Sequence, residues 1–477
     1  MFKNKKIKAI TIIGTLAIGI SSCTAPKIVQ KKEDKSVPEF FISGQDSTNS
    51  AKTKWQDFFK DEYLKALIDS ALKNNQELNI VAQEIAISNN EVMAKKGEYL
   101  PFLNLRSAAE VEKVGRYTSQ GANDANTEIK DGKEFPEPFG NFVIAPQFSW
   151  ELDIWKKLRN SKKAASMRYY SSVEGKKYLT TQLVSEIAHT YYELMALDNQ
   201  LEILKQNIAI QQNALKIVKM QKKAAKVTEL AVKKFEAEVA KNQSQVYFIQ
   251  QEIFQMENKI NFLVGRYPQE VQRSSTNFIA LNSFDVSEGV PAQLLENRPD
   301  IRQAEFELTA AKLDVKSAKA NFYPSLGITA NLGFEAFNPK YLLRSPESIL
   351  YNTAGDLMAP LINKRAIKAE YYNANAKQTQ AVFNYEKTVL MAFTEVLNLL
   401  NQMENIDKSF GYKEDQVEAL TQSIKISNSL FKSARADYME VLMTQRDALE
   451  AKMELIETKQ QQINSQISLY KALGGGW

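Results

Sequence analysis

The longest regular hydrophobic pattern of the chain lies between Ala231 and Val264. Apolar residues recur there in alternating steps of four and three, and Asn242 occupies the one polar slot. The apolar members are Phe235, Val239, Val246, Ile249, Ile253, Met256, Ile260 and Leu263. A second stretch near the end of the chain has the members Leu442, Leu449, Met453, Ile456, Ile463 and Ile467. Heptad spacing is typical of helices packed side by side, so one long packed helix is predicted in each half.

Each of these helices follows a longer tract that contains no proline. The first tract runs from Lys156 to about Ala225 with a single glycine, Gly175, and the second runs from Asn363 to about Ser433. About seventy helical residues extend ~105 Å. Turns near residues 227–229 and 435–437 return the chain, so each half is predicted to end in a helical hairpin. The tracts are too polar to cross a bilayer, which favours a coiled coil in an aqueous compartment.

Segments that alternate between apolar and polar residues come before the hairpins. Their apolar members are Leu103, Leu105, Ala109 and Val111, then the even positions from Phe142 to Ile154, then Leu326, Ile328, Ala330, Leu332 and Phe334. This alternation predicts strands with one apolar face. A fourth segment, around Tyr351 to Ile362, alternates poorly. Superposing Pro101 on Pro324, an offset of 223 residues, repeats the order helix, strand, strand, helix, helix, which indicates duplication.

The strands are consistent with either a soluble α+β domain or a sheet that spans a membrane. Their length of about ten residues, their polar opposite faces and their long polar loops favour the membrane. Aromatic residues flank them, as in interfacial girdles: Tyr99, Phe102, Tyr117, Phe139, Trp150, Trp155, Phe322 and Tyr323. Four strands cannot close a barrel, and an open edge cannot face lipid. Spanning strands therefore require an oligomer, and three copies would supply twelve.

The front end of the 477-residue chain is typical of a secreted protein. A basic segment from Lys3 to Lys8 precedes an apolar segment from Ala9 to Ile20, which is too short to span a bilayer. Residues 20–23 match a bacterial lipobox, which predicts lipidation of Cys23; an ordinary secretory signal with an incidental cysteine is the alternative. Thr24 after the cysteine favours the outer membrane. Since Cys23 is the sole cysteine, no intramolecular disulfide can form.

Composition excludes several functional classes. Charged residues make up 25%, and part of the net charge of +5 belongs to the leader, so no nucleic-acid partner is indicated. His189 is the only histidine, so a packing role is favoured over a zinc site or a triad. No glycine-rich phosphate loop precedes a helix. We therefore expect no catalysis, no metal and no cofactor.

The predicted organisation has six parts. They are a signal peptide at 1–22, a lipid-anchored and extended tether at 23–56, a first repeat at 57–265, a linker at 266–296, a second repeat at 297–473 and a tail at 474–477. The linker is expected to pack as a belt on the helices. Residues Glu404 to Lys413 are expected to match this linker in the second half.

Several motifs resemble those of TolC-like and OprM-like outer-membrane efflux channels, in the branch that carries a lipid anchor. They are Leu294 to Glu305, which includes Arg298-Pro299-Asp300-Ile301-Arg302, then Tyr323 to Leu326, Trp150 to Trp155 and Ala472 to Trp477. The resemblance covers essentially residues 20–477. It implies a mainly α protein with membrane β structure: a homotrimer whose twelve-stranded barrel continues into a periplasmic α-helical barrel. It also implies docking to a periplasmic adaptor protein and an inner-membrane pump of the RND type.

The resemblance extends to the periplasmic gate of that family, whose usual run is similar to Tyr438 to Arg446. Met439 stands where some members have an apolar constriction, and Glu440 stands where others have an acidic ring. Met443 replaces a common aspartate, and Ala434 replaces a common glycine at the turn. A Met ring with a single Glu ring is therefore expected. The alternatives are coiled-coil packing for both methionines and a solvated helix face for Glu440.

Three functions remain open at this point. The first is a passive duct for drugs or other small toxic compounds in a tripartite efflux system. The second is a duct of the same architecture for type I protein secretion or heavy-metal efflux. The third is a non-transport lipoprotein that scaffolds the envelope. The third explains the heptads but not the amphipathic strands placed symmetrically in two repeats.

Overall fold

The computed structural model describes residues 25–41, 48–274, 278–433 and 435–477. Most of these residues are helical. The helices are α1 (Trp55–Phe58), α2 (Glu62–Asn74), α3 (Gln76–Tyr99), α4 (Ser119–Asp124), α5 (Lys157–Lys223), α6 (Glu229–Val264), α7 (Leu294–Asn297), α8 (Pro299–Ala320), α9 (Arg365–Lys432) and α10 (Tyr438–Ala472). The strands are β1 (Phe102–Glu112), β2 (Glu128–Lys130), β3 (Lys133–Glu134), β4 (Phe139–Leu152), β5 (Ser325–Ala336) and β6 (Ile349–Met358).

The residues group into two units. One consists of the described residues of Met1–Lys32, Ile87–Tyr169 and Phe306–Val382, and it contains every strand named above. Its main sheet is antiparallel in the order β1-β4-β5-β6, while β2 and β3 form a small separate hairpin. The second unit consists of the described residues of Glu33–Ala86, Tyr170–Glu305 and Phe383–Trp477, and it contains the ends of both helical hairpins.

The predicted element order is confirmed in both halves, with one difference in the second. Helices α5 and α9 have 67 and 68 residues, and each returns through a helix of the heptad stretches, α6 or α10. The expected break between Glu404 and Lys413 is wrong, because these residues lie inside α9. Gly411 alone does not end a helix, since a glycine within a helix costs only ~1 kcal/mol relative to alanine.

The helical segment that precedes β1 is broken once. Asn75 separates α2 from α3. Its Oδ1 atom accepts a hydrogen bond from Leu78 N at 3.0 Å, and its Nδ2 atom donates to Leu263 O at 2.9 Å. Asn75 therefore caps one helix and joins it to the end of α6, a function that asparagine performs well at helix N-termini.

The N-terminal segment departs from the expected tether. Residues 25–41 have no regular secondary structure, as predicted, but Phe41 is buried and its ring stacks on Phe393 at 5.5 Å. Further on, Trp55 and Phe58 are buried, and the Phe58 ring stacks on Tyr470 at 4.0 Å. Aromatic side chains spaced along a polar segment supply the burial that fixes an otherwise irregular backbone.

The linker at 266–296 packs on the helices through a charged residue. Arg273 donates to Asp198 and, at 2.6 Å, to Glu257, while Phe278 of the same linker is fully buried. The interaction with two carboxylates raises the pKa of Arg273 even though burial alone would lower it. The linker is thus held by a charge-assisted contact and by apolar packing.

Asn242 has a defined partner in the coiled coil. Its Nδ2 atom donates to Oε1 of Gln211 at 2.8 Å, and both side chains are buried. A single polar pair of this kind selects one register of two packed helices, because any shift would leave both amides buried without this hydrogen bond.

The Arg298 motif joins the start of the second repeat to the end of the chain. Arg298 is 7% exposed. It donates to Asp300 at 2.8 Å, to Glu395 at 2.8 Å and to Ala472 O at 2.7 Å. Gly474 follows with φ +99°, and a Cβ atom there would lie 2.6 Å from Asn297 O. The arginine and the glycine together fix the C-terminus against α7.

His189 has the packing role expected of it. Its Nδ1 atom lies 2.8 Å from Asn464 Oδ1, and its Nε2 atom lies 3.2 Å from Ser468 Oγ. Burial lowers the pKa of His189, and the hydrogen bond to Asn464 only partly opposes this effect. The neutral imidazole therefore joins α5 to α10.

Replacing Arg298 tests the importance of the buried ion pairs. We expect Arg298→Met to destabilise its surroundings by ~3–5 kcal/mol, because Asp300 and Glu395 would lose their buried cation. Amide hydrogen exchange at residues 469–475 would measure the change. Lys408→Met is the control, since it removes an exposed ion pair with Glu404 and should cost at most ~1 kcal/mol. Equal exchange in both variants would contradict this assignment.

Candidate functional site

The main sheet has one continuous apolar face. Paired residues of neighbouring strands share a face, so the register assigns every side chain to a side. The apolar face consists of Leu103, Leu105, Ala109 and Val111 of β1, Phe142, Ile144, Pro146, Phe148, Trp150 and Leu152 of β4, Leu326, Ile328, Ala330, Leu332 and Phe334 of β5, and Ile349, Tyr351 and Leu357 of β6. Leu105 and Tyr351 are 73% and 80% exposed, so no other part of the described chain covers them.

The opposite face of the sheet is polar. It carries Asn104, Arg106, Glu110 and Glu112 of β1, Asn141, Gln147, Ser149 and Glu151 of β4, Thr329, Asn331 and Glu335 of β5, and Asn352 and Asp356 of β6. Asn141 donates to Glu335 at 2.9 Å across two strands. A sheet with one apolar and one ionised face is suited to separate lipid from water.

The fourth strand differs from its predicted position. It spans Ile349–Met358 rather than a region around Tyr351 to Ile362. Its apolar face includes Thr353 and Gly355, which pair with Ala330 and Ile328 of β5. These two residues weaken the alternation in the sequence, and this explains why the register was not apparent.

Both outer strands of the main sheet have long free edges. β1 pairs only with β4, and β6 pairs only with β5, within the described residues. They contain 11 and 10 residues, which is the length that a tilted strand needs to cross a bilayer. Along these edges, the backbone groups have no neighbouring strand among the residues that the structure describes.

Aromatic residues mark the end of the sheet that meets the long helices. Trp155 stacks on Tyr323 at 4.7 Å and donates to Pro324 O at 2.8 Å, while Trp150 donates to Tyr99 O at 3.2 Å. Phe322 is an exception to the expected girdle. It is fully buried and packs edge-on against Tyr371. Trp150, Trp155 and Tyr323 have the apolar body and polar atom that suit an interface.

The three predicted gate residues lie in the first turns of α10. Asp437 caps this helix by accepting from Met439 N at 2.6 Å and from Glu440 N at 3.2 Å. Met439 is partly buried, Glu440 is exposed and Met443 is 46% exposed. Met443 is thus not a core residue of the single chain, and the carboxylate of Glu440 is free to face water.

Two neighbouring residues hold this turn in place. The sequence did not identify them as part of the gate. Leu442 is buried among Val218, Ala231, Val232 and Phe235 of the first hairpin, and Tyr438 packs against the same cluster. Tyr438 and Leu442 are four residues apart and therefore share one helix face. Met439 and Met443 form the adjacent stripe. The heptad position of Leu442 and the aspartate before the helix were the sequence signals for this arrangement.

The ends of the two hairpins are held differently. In the first, Lys222 pairs with Glu229, and Lys219 pairs with Glu236 at 2.8 Å, so ion pairs join α5 to α6. Hydrogen bonds from Lys219 and Lys233 lower the pKa of Glu236 to about 2. Between residues 418 and 446, no described side-chain hydrogen bond or ion pair joins α9 to α10. Exposed ion pairs are weak, but this difference leaves the second hairpin less restrained.

The first hairpin turns through Ala225, whose φ is 55°. Lys226 N donates to Gln221 O at 2.9 Å, as in a Schellman motif. In the second hairpin, Arg435 N donates to Leu430 O at 2.9 Å, while Ala434 lies outside the described residues. The two turns thus close by the same type of hydrogen bond.

Cys23 lies outside the described residues. Within them, no helix is long and apolar enough to cross a membrane. The described histidine and acidic side chains also include no group that could hold a metal ion.

Comparison with known proteins agrees with the amphipathic sheet and the paired hairpins. The family described as "Outer membrane efflux protein" matches residues 67–266 and 290–475. The chain belongs to this family. It is therefore an efflux duct of the outer membrane, and the resemblance noted in the sequence is confirmed.

Individual relatives cover nearly the whole chain. The cation efflux system protein CusC of Escherichia coli O6:H1 is 25% identical over 466 residues, 97% of this chain and 97% of CusC. The pyoverdine export outer membrane protein OpmQ of Pseudomonas aeruginosa is 26% identical over 438 residues, 92% of this chain and 90% of OpmQ. These relatives are transport proteins, which agrees with a non-enzymatic role.

A solved structure has the same fold. The open state of the Neisseria gonorrhoeae MtrE outer membrane channel superposes with a TM-score of 0.82 and 21% identity, covering 95% of this chain and 98% of MtrE. The likeness supports the mainly helical fold of this efflux protein.

Removing the two methionines tests their place in the gate. We expect Met439→Ala with Met443→Ala to raise the conductance of the isolated channel. The shorter side chains would widen an apolar constriction that, in the wild type, excludes water and ions. Single-channel recording in planar bilayers measures this change. Met453→Ala, in a coiled-coil cluster of the same helix, is the control. Unchanged conductance of the double variant would remove both residues from the gate.

Proposed function

We propose that three copies of this efflux protein form one duct with a twelve-stranded barrel in the outer membrane and a helical barrel in the periplasm. The supporting observation is the four-stranded sheet with one apolar face and two free edges. In lipid, the unpaired backbone groups of β1 and β6 would each cost several kcal/mol. Pairing β1 of one copy with β6 of the next removes both edges at once.

The long helices supply the second part of the duct. Heptad seams hold neighbouring helices together, as the cluster around Leu204 and Ile249 does within the chain. Four long helices from each of three chains would then make a twelve-helix wall. Residues 57–265 and 297–473 are the duplicated units of this wall, and residues 266–296 are the belt around it.

The gate lies at the ends of the hairpins. Met439 and Met443 would form apolar rings around the threefold axis, and Glu440 would form an acidic ring that favours cations. The first hairpin serves mainly as wall, since its helices are joined by ion pairs near the end. The second hairpin moves on opening, because Leu442 and Tyr438 contact the first hairpin only through apolar surfaces that can separate.

Transport through this duct depends on partners. A periplasmic adaptor protein docks at the helical hairpins, and an inner-membrane pump of the RND type supplies the energy. The cargo is a drug or another small toxic compound. CusC is named for cation efflux and OpmQ for pyoverdine export, at nearly equal identity to this chain. Heavy-metal efflux is therefore the second candidate, and type I protein secretion is the third.

A scaffold without transport is the remaining alternative. A scaffold needs no apolar sheet face, so the exposure of Leu105 and Tyr351 on that face argues against it. Lipidation of Cys23 would anchor the protein in either case. Labelling with radioactive palmitate should mark the wild-type protein and fail to mark Cys23→Ser, and a labelled variant would exclude this site.

Two measurements test the function. The purified protein should form discrete channels in planar bilayers, and the absence of channels at any protein concentration would exclude every duct. A deletion strain should then become sensitive to several drugs or dyes. Sensitivity to silver or copper ions alone would indicate metal export instead of drug export. The loss of one secreted protein alone would indicate type I secretion.

A further inference from the structure

Three cations surround one tyrosine in the loops at the end of the sheet away from the long helices. Lys130 Nζ lies 5.1 Å from the centre of the Tyr341 ring, Lys340 Nζ lies 4.9 Å from it and Arg344 Cζ lies 5.2 Å from it. These distances are short enough for cation–π attraction. One aromatic ring cannot offset the mutual repulsion of three positive charges, so the arrangement suits an anion.

A fourth cation belongs to the same cluster. Lys133 lies directly opposite Lys130 in the β2–β3 hairpin. Like charges at opposed positions of a hairpin destabilise it. Although partial burial of the hydroxyl raises the pKa of Tyr341, the charges of Lys133, Lys340 and Lys130 lower it overall. The phenol thus experiences a net positive potential from both loops.

No carboxylate of the described residues forms an ion pair with this cluster. Among the described residues, Lys130, Lys133, Lys340 and Arg344 form no ion pair, whereas Arg116 in the same β1–β4 loop pairs with Glu137 at 3.1 Å. The small hairpin also contains Glu128, Asp131 and Glu134. Glu128 accepts from Gly132 N at 3.0 Å, so its carboxylate caps the turn. The four cations therefore remain available to an external anion.

The position of the cluster indicates which anion it meets. Tyr341 follows the end of β5 by five residues, and its ring lies 5.1 Å from that of Phe337. The headgroup layer of a bilayer extends ~5–7 Å beyond the hydrocarbon core on each side. In the orientation of the proposed function, the loops that carry the cluster reach the outer leaflet. Leu343 beside them is 76% exposed and suited to contact acyl chains.

We propose that Lys130, Lys133, Lys340 and Arg344 around Tyr341 bind the phosphate groups of lipids in the outer leaflet. The planar guanidinium of arginine binds two phosphate oxygens at once, and the lysines add flexible point charges. Binding would fix the two loops against the headgroup layer. This inference rests on the proposed function for its membrane orientation, but not on the pore.

Binding of a phosphate-bearing lipid to the full-length protein tests the proposal. Phosphatidic acid in detergent micelles is the probe, and native mass spectrometry counts the bound lipids. Phosphatidylcholine of the same acyl chains is the reference, because its own choline cation neutralises its phosphate. We expect the variant Lys130→Gln/Lys133→Gln/Lys340→Gln/Arg344→Gln to bind phosphatidic acid at least about 10-fold more weakly. The matched control, Lys216→Gln/Lys223→Gln/Lys226→Gln/Lys234→Gln, removes four exposed charges far along the chain and should bind as the wild type does.

Each outcome has a distinct meaning. Equal binding by the loop variant and the wild type would overturn the proposal, and so would equal loss in both variants. Displacement of the lipid by an equal concentration of inorganic phosphate would also overturn it, because the site would then recognise a free anion. Single-channel conductance of the loop variant should equal that of the wild type. A protein without channels that still binds the lipid through these residues would refute the duct and leave this proposal intact.

Discussion

The backbone of a strand at the edge of a sheet must find hydrogen-bond partners, and a bilayer offers none. The rest of this structure depends on that constraint. The order β1-β4-β5-β6 places the two strands that begin and end the set at the free edges. Their apolar side chains lie on the same face of the sheet as those of β4 and β5. In the membrane placement proposed above, this sheet is complete only in an assembly, although the helices and their cores form within one copy.

The unit that contains the hairpin ends combines rigid and loose connections. Arg298 holds the start of α8 and the end of α10 through buried charge-assisted bonds, and Asn242 fixes the register of α5 and α6. At the end of the second hairpin, by contrast, apolar contacts of Leu442 are the principal connection to the first. Buried polar contacts resist displacement because breaking them leaves unpaired groups, whereas apolar contacts can slide. This distribution of contacts is appropriate for a duct whose wall is fixed and whose end opens.

Much of the fold could be predicted from the sequence because two periodicities dominate it. The steps of three and four around Asn242 indicated packed helices, and the alternation around Leu103 and Phe142 indicated strands. The strand around Thr353 was misplaced because Thr and Gly occupy its apolar face. The prediction that Glu404 to Lys413 match the linker was wrong, because one glycine costs a long helix only ~1 kcal/mol relative to alanine.

Features that depend on distant contacts could not be predicted in this way. The docking of Phe41 on Phe393 joins residues far apart in the chain, and no local pattern indicates it. The same holds for the Tyr341 cluster, whose charges come from two different loops. At the candidate gate, the sequence identified Met439, Glu440 and Met443 by resemblance, while their exposure follows from which face of α10 packs on the first hairpin.

Covalent crosslinking between the edge strands tests the central claim most directly. Ala108→Cys in the middle of β1 and Ala354→Cys in the middle of β6 lie on the polar face of the same chain but at opposite edges. In the membrane, a short bifunctional thiol reagent should join copies of the double variant into covalent dimers and trimers. Each single variant should stay monomeric on a denaturing gel. A double variant that also stays monomeric would contradict the shared barrel.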